Sequence, residues 1–172
     1  LEYDESARLP SACDCYERAI TLSGLSKSFG LPGLRIGWLA TQDHDLLARA
    51  GRIKDYTTIC SSAPSEILGI IALRARDTIV NRNVEIVRHN LDLARDFFGA
   101  QPEAFEWLPP MAGPVAFPRL RLPVTALEFA QQCLDTRGTM VAPGEMFDMP
   151  GHFRIGLGRK SLGDALRALG TQ

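Results

Sequence analysis

The chain has 172 residues, 45% of them hydrophobic and 23% charged, which is the balance of one folded domain or two small lobes and not that of a disordered segment. With 19 basic and 20 acidic residues the formal charge is -1, and no basic stripe for nucleic acid or polybasic patch for a membrane surface is present. No apolar run reaches the roughly 20 residues of a membrane span, and no secretory-signal pattern is seen. The expected partner is therefore a small molecule or another protein.

Four cysteines occur, Cys13, Cys15, Cys60 and Cys133, and only the first two lie close together. His44, His89 and His152 are isolated, so the paired ligands of a metal site are missing and no metal is expected. Reduced thiols in a cytoplasmic protein fit this usage better than a disulfide framework. The first residue is Leu1 and not Met, so the chain is expected to be processed or a piece of something longer.

In chain order, Ala19 to Leu22 reads as a buried strand, apolar and partly β-branched. A Gly/Ser-rich loop follows from Ser23 to Gly33, and Leu34 to Thr41 reads as a second strand. With no helix between them, the two strands are antiparallel neighbours or a local excursion. Asp43 or Thr41 can cap a helix with Leu46, Leu47, Ala50 and Ile53 on one face. Tyr56 to Pro64 is polar and punctuated, which predicts a loop. Ser62 or Ser65 then starts a helix with Ile67, Leu68, Ile71 and Ala72 at helical spacing.

From about Thr78 to Gly99 the spacing of Ile79, Val80, Val84, Val87, Leu91, Ala94 and Phe98 predicts a long amphipathic helix. Beyond it the texture changes. Short strand-like runs cover 106–108, 115–120, 140–142 and 153–157, with helices at 126–137 and 162–169 between them. This predicts an α+β lobe on a small sheet. The boundary is expected inside the long helix, giving parts 1–85 and 86–172.

The densest chemical signal is the string from Ser23 to Trp38. Lys27 sits in a loop at the end of a strand, hydroxyls flank it at Ser26 and Ser28, and Arg35 follows eight residues later. A phosphate-bearing anion needs cations and hydroxyls of this kind. Taken alone, Lys27 would read as a surface lysine in a flexible loop. The whole string resembles the lysine signature of class I/II aminotransferases, the fold-type-I enzymes that use pyridoxal 5'-phosphate (PLP). Ser26, Lys27, Gly30, Gly33, Arg35, Gly37 and Trp38 stand at the matching spacings, and the first serine of the signature falls on Gly24.

A second constellation runs Val141-Ala142-Pro143-Gly144-Glu145-Met146-Phe147, then Gly151 to Gly158. Phe153 to Leu157 alternates as a strand does, with Arg154, Gly156 and Gly158 on one face. An arginine beside glycines leaves room for a carboxylate to reach a guanidinium fork. The plain reading is a strand-edge arginine paired with Glu145 or Asp148. The same family carries a Val-x-Pro-Gly-x-x-Phe turn followed by an arginine strand, so the resemblance covers nearly the whole chain.

The resemblance implies an α/β fold: the C-terminal part of a PLP-dependent transferase large domain, then the small α+β C-terminal domain. It implies that Lys27 forms a Schiff base with PLP and is the catalytic acid and base. Ser26 and Arg35 would hold the cofactor phosphate, and Arg154 the substrate α-carboxylate. Substrates would be an amino acid and a 2-oxo acid, in a cytoplasmic homodimer with no nucleic-acid or membrane partner. The loop from Tyr56 to Pro64 would reach the neighbouring site, and its lack of arginine disfavours a dicarboxylate. The match begins after the family's Asp-x-x-Tyr strand; Tyr3 and Asp4 stand in the wrong order for those roles. The expectation is thus an incomplete chain, a poor catalyst by itself. The alternatives are a lyase, decarboxylase or cyclising synthase of the same fold, or a non-catalytic fragment.

Overall fold

The computed structural model describes residues 1–4, 6 and 8–170, and the chain divides into two compact units, Leu1–Asn83 and Val84–Gln172. The first unit holds a short helix α1 (Ala12–Cys15), strands β1 (Thr21–Gly24) and β2 (Gly37–Ala40), helices α2 (His44–Thr58) and α3 (Ala63–Arg74), and the first turns of α4 (Arg76–Gly99).

β1 and β2 pair antiparallel, with Thr21 opposite Ala40 and Gly24 opposite Gly37. The first strand therefore starts two residues later than its composition suggests and continues through Ser23 and Gly24. It continues because both residues of the last pair are glycine: a Cβ on Gly24 would meet the Ile36 carbonyl oxygen at 2.9 Å. The strand is not buried as expected, since Leu22 is 78% exposed. The second strand begins only at Gly37, because Pro32 opens a 3-10 turn over Pro32–Leu34 and Arg35 follows in the left-handed region at φ 54°.

Asp43 caps α2 as its side chain accepts from the Leu46 amide at 2.8 Å. The helix runs on to Thr58, so the first three residues of the expected loop are helical. The Thr57 and Thr58 hydroxyls donate to the carbonyls of Ile53 and Lys54 at 3.0 Å each, a turn back in the helix.

Helix α3 differs from its predicted inner face. Gly69 and Ala72 are buried, whereas Ile67 is 60% exposed and Leu68 and Ile71 are also exposed. The face turned inward is the one that meets Leu25, whose Cδ1 would lie 3.4 Å from a Cβ at position 69. Leu25, Phe29 and Ala72 form the buried cluster of this unit, flanked by Leu31, Leu34, Ile36 and Ile79.

In the second unit α4 buries Val87, Leu91, Ala94 and Phe98, as the spacing predicts. Asn90 is buried on the same helix, and its Nδ2 donates to the Leu157 and Arg159 carbonyls, both at 2.7 Å. Strands β3 (Phe105–Glu106) and β5 (Arg119–Leu120) pair antiparallel. β4 (Val115–Ala116), β6 (Ala142–Pro143) and β7 (Phe153–Gly156) form an antiparallel sheet in the order β4-β7-β6. The run 115–120 thus splits in two at Phe117-Pro118, where proline has no amide to give to a ladder.

Helix α5 (Ala126–Arg137) starts at a reciprocal capping box between Thr125 and Glu128 and stops at Gly138. Helix α6 (Leu162–Leu169) buries Leu162, Leu166 and Leu169. Phe98, Phe105, Phe129 and Phe153 meet with ring centroids 5.1 to 6.4 Å apart. Each such ring removes enough apolar surface to contribute about 2 kcal/mol before ordering costs.

Candidate cofactor and carboxylate sites

The turn between β1 and β2 is built from its own backbone. The Leu25 amide donates to the Ile36 carbonyl at 3.1 Å and the Leu31 amide to that of Leu25 at 2.9 Å. The Gly30 amide donates to the Lys27 carbonyl at 3.0 Å, and Gly30 takes φ +67°, which its missing side chain permits. Leu25 and Phe29 point inward as anchors, while Lys27 between them is exposed. Asn83, two turns into α4, ties the lysine turn to that helix, its Nδ2 donating to the Ser28 carbonyl at 2.9 Å. Nothing in the sequence signals that tether, because 55 residues separate its ends.

A cavity of about 480 Å³ lies against this turn, lined by Leu22, Ser23, Gly24, Ser26, Lys27, Ser28, Arg35, Ile36 and Gly37. All three residues singled out here by the sequence, Ser26, Lys27 and Arg35, line it together. Ser23, Ser28, Gly24 and Gly37 join them. The size is within the ~300–1,000 Å³ usual for small-molecule sites. The Arg35 guanidinium donates to the Pro32 carbonyl at 2.7 Å, so it is steadied by its own turn, and among the described residues it forms no ion pair. Its left-handed backbone, not a strand as expected, carries it there. One amine, one guanidinium and three hydroxyls suit a phosphorylated aldehyde: the amine can condense with the carbonyl carbon, and the others can take up phosphate oxygens.

Arg154 belongs to the second unit. β7 alternates as predicted, with Phe153 and Ile155 buried and Arg154 and Gly156 exposed. A Cβ at Gly156, two residues along the same face, would meet nothing within 4 Å. Among the described residues Arg154 forms no ion pair with Glu145 or Asp148. Its guanidinium carbon instead lies 5.0 Å from the centroid of the Phe147 ring. Phe147 is the last residue of the turn over residues 141–147, and its place against Arg154 carries no signal in the sequence.

A larger cavity, about 670 Å³, is lined by residues of α5 and α6 including Gln132, Cys133, Arg137 and Arg167. Arg137 is occupied with the Leu169 carbonyl at 2.7 Å. Burial pushes the Cys133 thiol up, which Arg137 only partly offsets, so this thiol is a core group. All four cysteines are free, and no group of three potential ligands able to hold a metal exists among the described residues. No described helix is long and apolar enough to cross a membrane.

A lysine turn between antiparallel strands and an arginine strand on a small α+β layer define a fold class that comparison with known proteins identifies. Residues 5–168 match the family described as aminotransferase class I and II, and the chain belongs to that family. It is 31% identical over 140 residues to capreomycidine synthase of Streptomyces vinaceus, covering 81% of this chain and 36% of that one. It is 30% identical to an aspartate aminotransferase of Thermococcus kodakarensis, covering 94% of this chain and 43% of that one. Its fold matches the crystal structure of a PLP-dependent aminotransferase from Streptococcus suis with a TM-score of 0.92 at 27% identity, over 98% of this chain and 45% of that one. The chain therefore spans less than half the length of these relatives.

Proposed function

We propose that this chain supplies the cofactor lysine and the substrate-carboxylate arginine of a PLP-dependent aminotransferase, one that moves an amino group between an amino acid and a 2-oxo acid. The observation that carries the reading is the shared cavity of Lys27, Ser26 and Arg35. When bound, PLP supplies an aldehyde that takes up amino groups and a ring that draws electrons from the substrate α-carbon. Lys27 Nζ would hold the cofactor, and the same amine would move a proton at the substrate α-carbon. Ser26 and Arg35 would bind phosphate oxygens, and Ser23 and Ser28 line the same cavity. Arg154 fixes the α-carboxylate through paired N–H donors.

The exposed apolar residues of α3, Ile67, Leu68, Ile70 and Ile71, support a homodimer as part of this reading. Four free thiols support a cytoplasmic location. Similarity to a protein named as a synthase supports a second reading, a cyclising or eliminating enzyme with the same cofactor. One assay separates them. The protein is incubated with PLP and an amino-acid panel, with and without a 2-oxo acid. Amino transfer that needs the 2-oxo acid and is lost in Lys27→Ala supports the aminotransferase. Product formed without a 2-oxo acid supports the synthase, and no Lys27-dependent attachment of PLP, read by borohydride reduction and mass spectrometry, overturns both.

A further inference from the structure

We infer that Phe147 is a positioning residue for Arg154, holding its guanidinium by one face so that the donors on its rim stay free for a carboxylate. The inference rests on the reading of Arg154 as the carboxylate grip and adds what keeps that grip aimed.

A guanidinium offers two flat faces and a rim of five N–H donors. A carboxylate partner would steady the group by using the rim. An aromatic ring steadies it through a face and leaves the rim unspent. In this structure the guanidinium lies over an aromatic ring and, among the described residues, is not paired with an acid of its turn. The Arg154 Cζ lies 5.0 Å from the Phe147 centroid, and the two acids of the same turn, Glu145 and Asp148, make no ion pair with it among the described residues.

The ring is itself held. Phe147 meets Phe117 edge-on, centroids 5.8 Å apart at 88°. Phe117 in turn stacks on His152, 5.5 Å away and 8° from parallel. The turn that delivers Phe147 is closed on both sides. The Gly144 amide donates to the His152 carbonyl at 2.7 Å, the Met149 amide to that of Gly144 at 3.0 Å and the His152 amide to that of Met149 at 3.2 Å. Asp148 at φ 56° and Gly151 at φ 76° reverse the chain between Phe147 and β7. Ala142 lies opposite Arg154 in the ladder, so the turn springs from the strand beside the arginine. With 41% of its surface exposed, Phe147 is not needed to fill the core. Gly156, open on the same face, gives the carboxylate its approach.

The test reads Arg154 directly, without cofactor. Its Nε–Hε resonance, assigned by its loss in Arg154→Lys, is followed by ¹⁵N NMR in the full chain as acetate is added. Acetate should shift the line in the parent protein. Phe147→Leu should raise the apparent acetate Kd about two- to five-fold, the value of a partly exposed cation–π contact. Phe147→Tyr should restore it. In the ligand-free state the Phe147→Leu line should narrow as the side chain gains freedom, a change that loss of fold elsewhere would not confine to one arginine. A parent line that ignores acetate would overturn the carboxylate reading of Arg154. A parent line that responds, with Phe147→Leu indistinguishable from it in affinity and linewidth, would overturn the positioning role alone.

Discussion

The lysine turn hangs on three buried residues, Leu25, Phe29 and Ala72, whereas the strand that carries Arg154 lies in a unit whose core joins four phenylalanines. The two sites are stabilised in different ways as a result. The turn around Lys27 keeps its shape through backbone hydrogen bonds, glycines and one long-range side-chain tether. Arg154 keeps its place through ladder pairing and ring packing. A loop of the first kind stays open to a ligand on a side rich in hydroxyls and charge. A strand of the second kind presents one well-aimed group.

The contrast can be broken from either end. The largest effect is expected from Gly144→Ala. A Cβ there would lie inside contact distance of the Met149 carbonyl oxygen and 2.5 Å from that of His152, both of them backbone. The turn must open, and urea unfolding should show a loss of more than about 3 kcal/mol. Leu25→Ala should cost about 3 kcal/mol through the cavity it leaves under the lysine turn, with faster amide exchange between residues 25 and 36 as the local sign. Asn83→Ala removes the tether to the Ser28 carbonyl and should cost about 1 kcal/mol, again seen in exchange of the turn.

The smallest effect concerns pH. The Thr125 amide and hydroxyl donate to Glu128 at 2.8 Å each, and these bonds hold its carboxyl below the ordinary carboxylate range. A depressed folded-state value means that the box contributes in full above the unfolded carboxylate pKa, about 4.3. The contribution fades as pH falls through the folded value. Glu128→Gln should therefore narrow the stability gap between neutral and acid conditions, measured by thermal unfolding across that range.

Much of this was legible in the sequence where local pattern and tertiary context agree. Helices α5 and α6 span the residues that the sequence predicts for them, and the alternation of β7 exposes Arg154 as read. The α3 face failed because apolar spacing names the residues that could be buried, not the ones that are. Gly69 and Ala72 face the Leu25 cluster, and the isoleucines of α3 face outward. Gly24 looked like a missing hydroxyl in the lysine signature. The cross-strand pair with Gly37 supplies the reason: a side chain there would strike the facing backbone. Asn83 and Phe147 went unread because their roles depend on residues that pattern does not connect. One lies 55 positions from its partner, and the other reaches Arg154 only after the turn folds back.

The central claim is that Lys27 meets a phosphorylated aldehyde in a cavity it shares with Arg35. Incubation with PLP, reduction with borohydride, proteolysis and mass spectrometry test it most directly. The account predicts a phosphopyridoxyl group on the peptide containing Lys27, and weaker labelling in Arg35→Ala. Label spread evenly over Lys54, Lys160 and the N-terminus, with Lys27 not favoured, would contradict it.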